Sequence, residues 1–188
     1  MFNENKNIYV INWVLLTTIL VGIMIIVGGL TRLTDSGLSI TKWELFTGIF
    51  PPLTLVQWEE AFNFYKQIPE YKLQNFLMDL DEFKVIYWWE YTHRMLGRLI
   101  GIFFIVPLII FTIKKKISKK NLIQLYSIVI LILFQGYIGW YMVKSGLTEN
   151  TDVSHYRLSI HLTLAFIIFS LLFWNYLKLK YNNIIEIK

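Results

Sequence analysis

EYTHRMLGRLIGIFFIVPLII, residues 90–110, sets an acid, a histidine and two arginines at one end of an apolar run whose last twelve residues carry no charge. The run extends from Val85 to Ile113, beyond the roughly 20 residues that a bilayer's hydrocarbon core demands of a helix. Three more stretches are long and apolar enough: Ile8 to Leu30, Leu122 to Val143 and Leu158 to Leu179. Hydrophobic residues make up 55% of the chain and the mean hydropathy is +0.50, values that suit a polytopic membrane protein and not a water-soluble domain of this size. The expectation is an all-α fold in which one domain, residues 1–188, forms a four-helix membrane bundle with the lipid bilayer as its solvent.

Charge sets the orientation. The connection Lys114-Lys115-Lys116-Ile117-Ser118-Lys119-Lys120 is short and holds five lysines, so the positive-inside rule places it, and with it both termini, in the cytoplasm. The segment 31–84 then lies outside. It carries eight acids against five bases, a net −3. The chain's overall +5 is thus an inner-face feature, and a nucleic-acid partner is excluded. The first apolar stretch is longer than a signal peptide's and ends without a small-residue cleavage site, so it is expected to stay as a helix. No cysteine is present, and thiolate metal sites and disulfides drop out.

A 54-residue outer segment needs internal structure. Thr54-Leu-Val-Gln57 after Pro51-Pro52 reads as a capping box, followed by Trp58, Phe62 and Tyr65 as an apolar stripe at helical spacing. This short amphipathic helix is expected to lie on the outer membrane surface. Asp79-Leu-Asp-Glu82 is a second helix start, which would begin the second spanning helix outside the bilayer.

The polar residues inside the spans carry the functional signal. His93 is 21 residues from Lys114, and His161, in YRLSIHLTLAFIIFSLLFW (156–174), is 17 from Lys178. At about 1.5 Å of rise per residue the two heights differ by roughly 6 Å, which tilt and lysine snorkelling absorb. Two imidazoles at one depth on antiparallel helices suit the axial coordination of a haem iron between helices. Zinc lacks a third and fourth ligand. Glu90, one turn before His93, is placed to orient the imidazole, relay a proton or act on a bound substrate, or else to pair with Arg94 or Arg98. Arg94 and Arg98 share a face and suit either haem propionates or lipid phosphates. His155 reads as a surface histidine. Gly28, Gly29, Gly97, Gly101, Gly136 and Gly139 read as helix-packing positions, and Gln135 as a hydrogen bond to another helix.

Four segments, GGLTRLTDSGLSITKWELFTGIFPPL (28–53), FKVIYWWEYTHRMLGRLIG (83–101), QGYIGWYMVKSGL (135–147) and VSHYRLSIHLTLA (153–165), in this order resemble the haem A synthase family of the proteobacterial and mitochondrial type. The resemblance implies an oxidoreductase that converts a methyl group of haem O to the formyl group of haem A for terminal oxidases. It sets the protein in a bacterial inner membrane, or in the mitochondrial inner membrane if organellar. Members have two similar four-helix halves. These segments look like the first, in which Glu90 would be the catalytic group and His93 and His161 would line the substrate-haem site. The resemblance further implies a haem B cofactor in a second half that this chain lacks, so that a complementary half or a homo-oligomer is expected, with haem O synthase as a possible supplier of substrate. Two other classes use the same histidines: a bis-histidine b-type cytochrome carrying electrons, and a non-catalytic haem-handling or assembly protein.

Overall fold

The computed structural model describes residues 8–42, 49–149 and 153–181. The chain termini, placed inside above, and the Trp43–Gly48 part of the first motif lie outside the described residues. Six helices follow in order: α1 Ile8–Leu33, α2 Leu55–Tyr65, α3 Pro69–Leu73, α4 Leu80–Ile113, α5 Lys119–Glu149 and α6 His155–Tyr181. α1, α4, α5 and α6 are long and apolar enough to cross a membrane, and the described residues form no strand. α1 packs against α4 and α6, and α5 against α6 and, more loosely, α4, so the four close in the ring α1–α4–α5–α6. Their outward residues, such as Leu16, Ile23, Val106, Ile130 and Phe166, are exposed and apolar, as lipid contact requires.

Both capping signatures form. The Gln57 amide donates to Thr54 Oγ1 while the Thr54 amide donates to Gln57 Oε1. Asp79 accepts from the amides of Asp81 and Glu82, and Glu82 accepts from the Asp79 amide. The second cap starts α4 five residues before the apolar run at Val85. At 34 residues α4 is about 50 Å long, well beyond a hydrocarbon core of about 30 Å, so its outer part stands clear of the lipid.

That extension changes what α2 does. The Trp58, Phe62 and Tyr65 stripe, expected on the membrane surface, packs on α4 instead: Phe62 stacks on Phe83 with centroids 5.0 Å apart, and Trp58 meets Tyr87 edge-on at 5.0 Å. Tyr65 is fully buried, donates to Glu70 Oε1 at 2.8 Å and accepts from Asn75 at 2.7 Å. Burial pushes its hydroxyl well above the usual phenol range, and the Glu70 charge adds to the rise.

α1 and α4 end alike. Ser36 N donates to Thr31 O and Asp35 N to Arg32 O; Lys116 N donates to Phe111 O and Lys115 N to Thr112 O. These are Schellman caps, with Asp35 (φ 47°) and Lys115 (φ 51°) in the left-handed position.

The buried residues fall into two cores. An inner one joins Trp13, Val14, Phe104, Leu108, Leu125, Ile128, Ile168 and Leu172 across all four long helices. An outer one joins Leu38, Phe62, Tyr65, Phe83, Tyr87 and Val153.

Candidate functional site

Between the cores lies a level at which no described residue is fully buried. Burial stops at Val21 on α1 and resumes at Thr31; on α4 it lapses between Glu90 and Ile100, on α5 between Ile128 and Gly146, and on α6 from its start to Leu164. His93 and His161 both sit in this gap.

Each imidazole rests on a glycine of a neighbouring helix. A Cβ at Gly28 of α1 would stand 3.2 Å from His93 Nε2, and one at Gly139 of α5 would stand 3.0 Å from His161 Cε1. At the adjacent Gly29 and Gly136 a Cβ would meet nothing within 4 Å. The glycines read as helix packing thus divide: two make room for the histidine rings, Gly97 faces Met24, and Gly101 is open. The sequence signal was present as a glycine in a facing motif, but which helices face was not.

Gln135 bonds to another helix as expected, donating to the His161 main-chain oxygen at 3.1 Å. Its Oε1 and the Nδ1 of His161 are buried without a hydrogen-bond partner. Native structures seldom leave such atoms unmatched. A ring with an unused nitrogen, seated in a cradle that one methyl group would fill, fits a metal-bound planar ligand. The donor set is two imidazoles, since among the described residues no group of three or more His, Cys, Asp or Glu gathers. His155 is exposed at the start of α6.

Glu90 is 2% exposed and has three partners: it accepts from Ser39 Oγ at 2.6 Å, from the Ile40 amide at 2.7 Å, and from Arg94. Arg94 also donates to the Ile40 carbonyl at 3.2 Å. The pair therefore grips both polar groups of one peptide residue. It holds a strap, residues 36–40, across the outer end of the bundle, with Leu38 buried against Gly146 of α5 and Gly37 beside Val153. The sequence does not disclose this closure, because Leu38 and Ser39 acquire their roles only from the distant α4 and α5. Arg98 is one turn further in, with Met95 Sδ 3.3 Å from its guanidinium.

The match to known proteins covers nearly the whole chain. The model of the COX15-CtaA family, cytochrome oxidase assembly protein, matches residues 11–187. The chain is similar to proteins named haem A synthase: 54% identical to that of Pelagibacter ubique over 96% of this chain and 55% of the relative, 52% to that of Parvibaculum lavamentivorans over 89% and 48%, and 51% to that of Flavobacterium psychrophilum over 95% and 52%. The chain spans about half the length of the curated relatives it matches. No solved structure matches it.

Proposed function

Because the chain belongs to the COX15-CtaA family of cytochrome oxidase assembly proteins and has four helices long and apolar enough to cross a membrane, we propose that it forms the substrate-haem half of a haem A synthase. His93 and His161 would hold haem O at the outer end of the bundle and present one methyl group for oxidation to formyl. The observation that supports this most is the pair of imidazoles, each cradled on a glycine, in the level between the two cores.

The chain's own contribution is placement. The strap and outer core cover the site from the aqueous side, Gly28 and Gly139 set where the rings stand, and Gln135 ties α5 to α6 at the ligand. Attack on an unreactive C–H draws on metal and oxygen chemistry that haem supplies when bound, while the protein provides orientation and electrostatics. Glu90 is the candidate catalytic acid or base. Its three contacts favour the other reading, a positioning role in which it holds the strap over the site, and the variant described in the Discussion separates the two. The partners in this proposal are haem O, a second four-helix half bearing haem B or a homo-oligomer in its place, and haem O synthase as supplier. The membrane is a bacterial inner membrane, or the mitochondrial one in an organelle, with the lysine loop and both termini inside.

The test is conversion. Membranes containing the chain and a complementary half, given haem O, should yield an extractable formyl-bearing haem, and His93→Ala or His161→Ala should abolish it. Haem bound through both histidines but extracted unchanged would move the assignment to an electron carrier or haem-handling protein.

A further inference from the structure

Arg157 lies on α6 four positions before His161, one turn outward on the same face. Its guanidinium donates to Ser145 Oγ and stands over the Tyr141 ring, 4.9 Å from the centroid, so it points across to α5. α5 is also the helix whose Gly139 seats the His161 ring. Arg157 thus borders the same α5–α6 seam as the histidine, on its outer side.

Its partners are a hydroxyl and an aromatic face, and neither carries charge. Arg94 has Glu90, whereas no carboxylate among the described side chains lies within ion-pair distance of Arg157. Arg157 is 21 residues from Lys178, the same separation as His93 from Lys114, which puts it at the outer limit of the hydrocarbon. A half-buried cation there, with no carboxylate partner among the described side chains, is costly, and such residues are functional by default. The positive end of the α6 dipole falls at the same turn and favours an anion too.

We propose that Arg157 is a carboxylate anchor: it pairs with a propionate of the porphyrin held between His93 and His161, taking it in place of the Ser145 hydroxyl. The inference rests on the haem reading above and adds to it a specificity, namely preference for a porphyrin with free acid side chains. A lipid phosphate offers similar chemistry. The position of the guanidinium, one turn outward of His161 on the histidine's face and turned toward α5, favours the propionate.

The test titrates the purified chain in a phosphate-free detergent with protohaem IX and, separately, with its dimethyl ester, which keeps the iron and ring but masks both carboxylates. The expected result is tighter binding of the free acid by wild type, with that preference reduced about 10-fold or more in Arg157→Gln. The imidazole-ligated spectrum should persist in the variant. Arg157→Lys keeps the charge and should retain part of the preference. Equal binding of acid and ester by wild type overturns the anchor while leaving the histidine site standing, and it needs no variant. An undiminished preference in Arg157→Gln also overturns it and assigns Arg157 to lipid phosphate or to packing on α5. Binding of neither porphyrin by wild type removes the haem reading, and the anchor with it.

Discussion

Adding one methyl group at Gly139 should disturb haem binding, while the same change at its helical neighbour Gly136 should not. An alanine Cβ at 139 would stand 3.0 Å from His161 Cε1. Carbon atoms prefer about 3.5–4.0 Å, so the ring must retreat by roughly 0.5–1 Å or α5 must back away from α6. Over-packing of this kind costs about 1–3 kcal/mol. If the displaced ring is the iron ligand, the cost appears as about a 5- to 150-fold loss of haem affinity. Gly28→Ala brings a Cβ to 3.2 Å from His93 Nε2, a milder intrusion whose effect should fall toward the lower end. Gly136→Ala and Gly29→Ala are the matched controls, since a Cβ there meets nothing within 4 Å. All four changes gain the same helix propensity, about 0.8–1 kcal/mol, so that term cancels within each pair. The assay is haem titration followed by absorbance, with thermal melting by circular dichroism to confirm the fold. Equal affinity in Gly139→Ala and Gly136→Ala would refute the cradle, and with it the idea that glycine placement positions the ligand.

Glu90→Gln distinguishes two roles: a catalytic carboxylate predicts intact haem binding with product yield down by ~10²-fold or more, whereas a strap anchor predicts that binding and yield fall together and that the Ile40 amide exchanges faster with solvent. Glu90→Ala, which leaves the mostly covered Arg94 with only the Ile40 carbonyl, should destabilise the protein by about 3 kcal/mol, measurable by denaturant titration. Single cysteines placed in this cysteine-free chain at exposed Glu59 and Ser118 should be labelled by an impermeant reagent from outside at 59 and not at 118; the reverse pattern would invert the topology. Tyr65→Phe removes one hydrogen bond each from Glu70 and Asn75 and should cost about 1–3 kcal/mol. Because folding raises the Tyr65 pKa, its contribution is complete below the unfolded phenol value near 10 and lost as pH rises above it; wild type should lose stability over that window more steeply than Tyr65→Phe.

The bundle and its caps were legible because their causes are local. Apolar length marks a span, and Thr54 with Gln57 or Asp79 with Glu82 closes a box within four residues. His93 and His161 were legible as candidates from rise per residue and the lysine anchors, and both fall in the level between the two cores. Less accessible was anything that depends on which surfaces meet. The α2 stripe looked the same facing lipid or facing α4, and only the outward extension of α4 decides between them. Glu90's alternatives could not be ranked until Ser39 and Ile40, some fifty positions earlier, were seen to meet it. Arg157 attracted no notice because its neutral neighbours, Ser145 and Tyr141, lie on another helix.

Whether one haem is held between His93 and His161 is read from the absorption spectrum of the purified chain titrated with haem. The account predicts saturation at one haem per chain with a six-coordinate, bis-imidazole spectrum that both His93→Ala and His161→Ala remove, while His155→Ala leaves it unchanged. A wild-type spectrum and affinity in either His93→Ala or His161→Ala would contradict it.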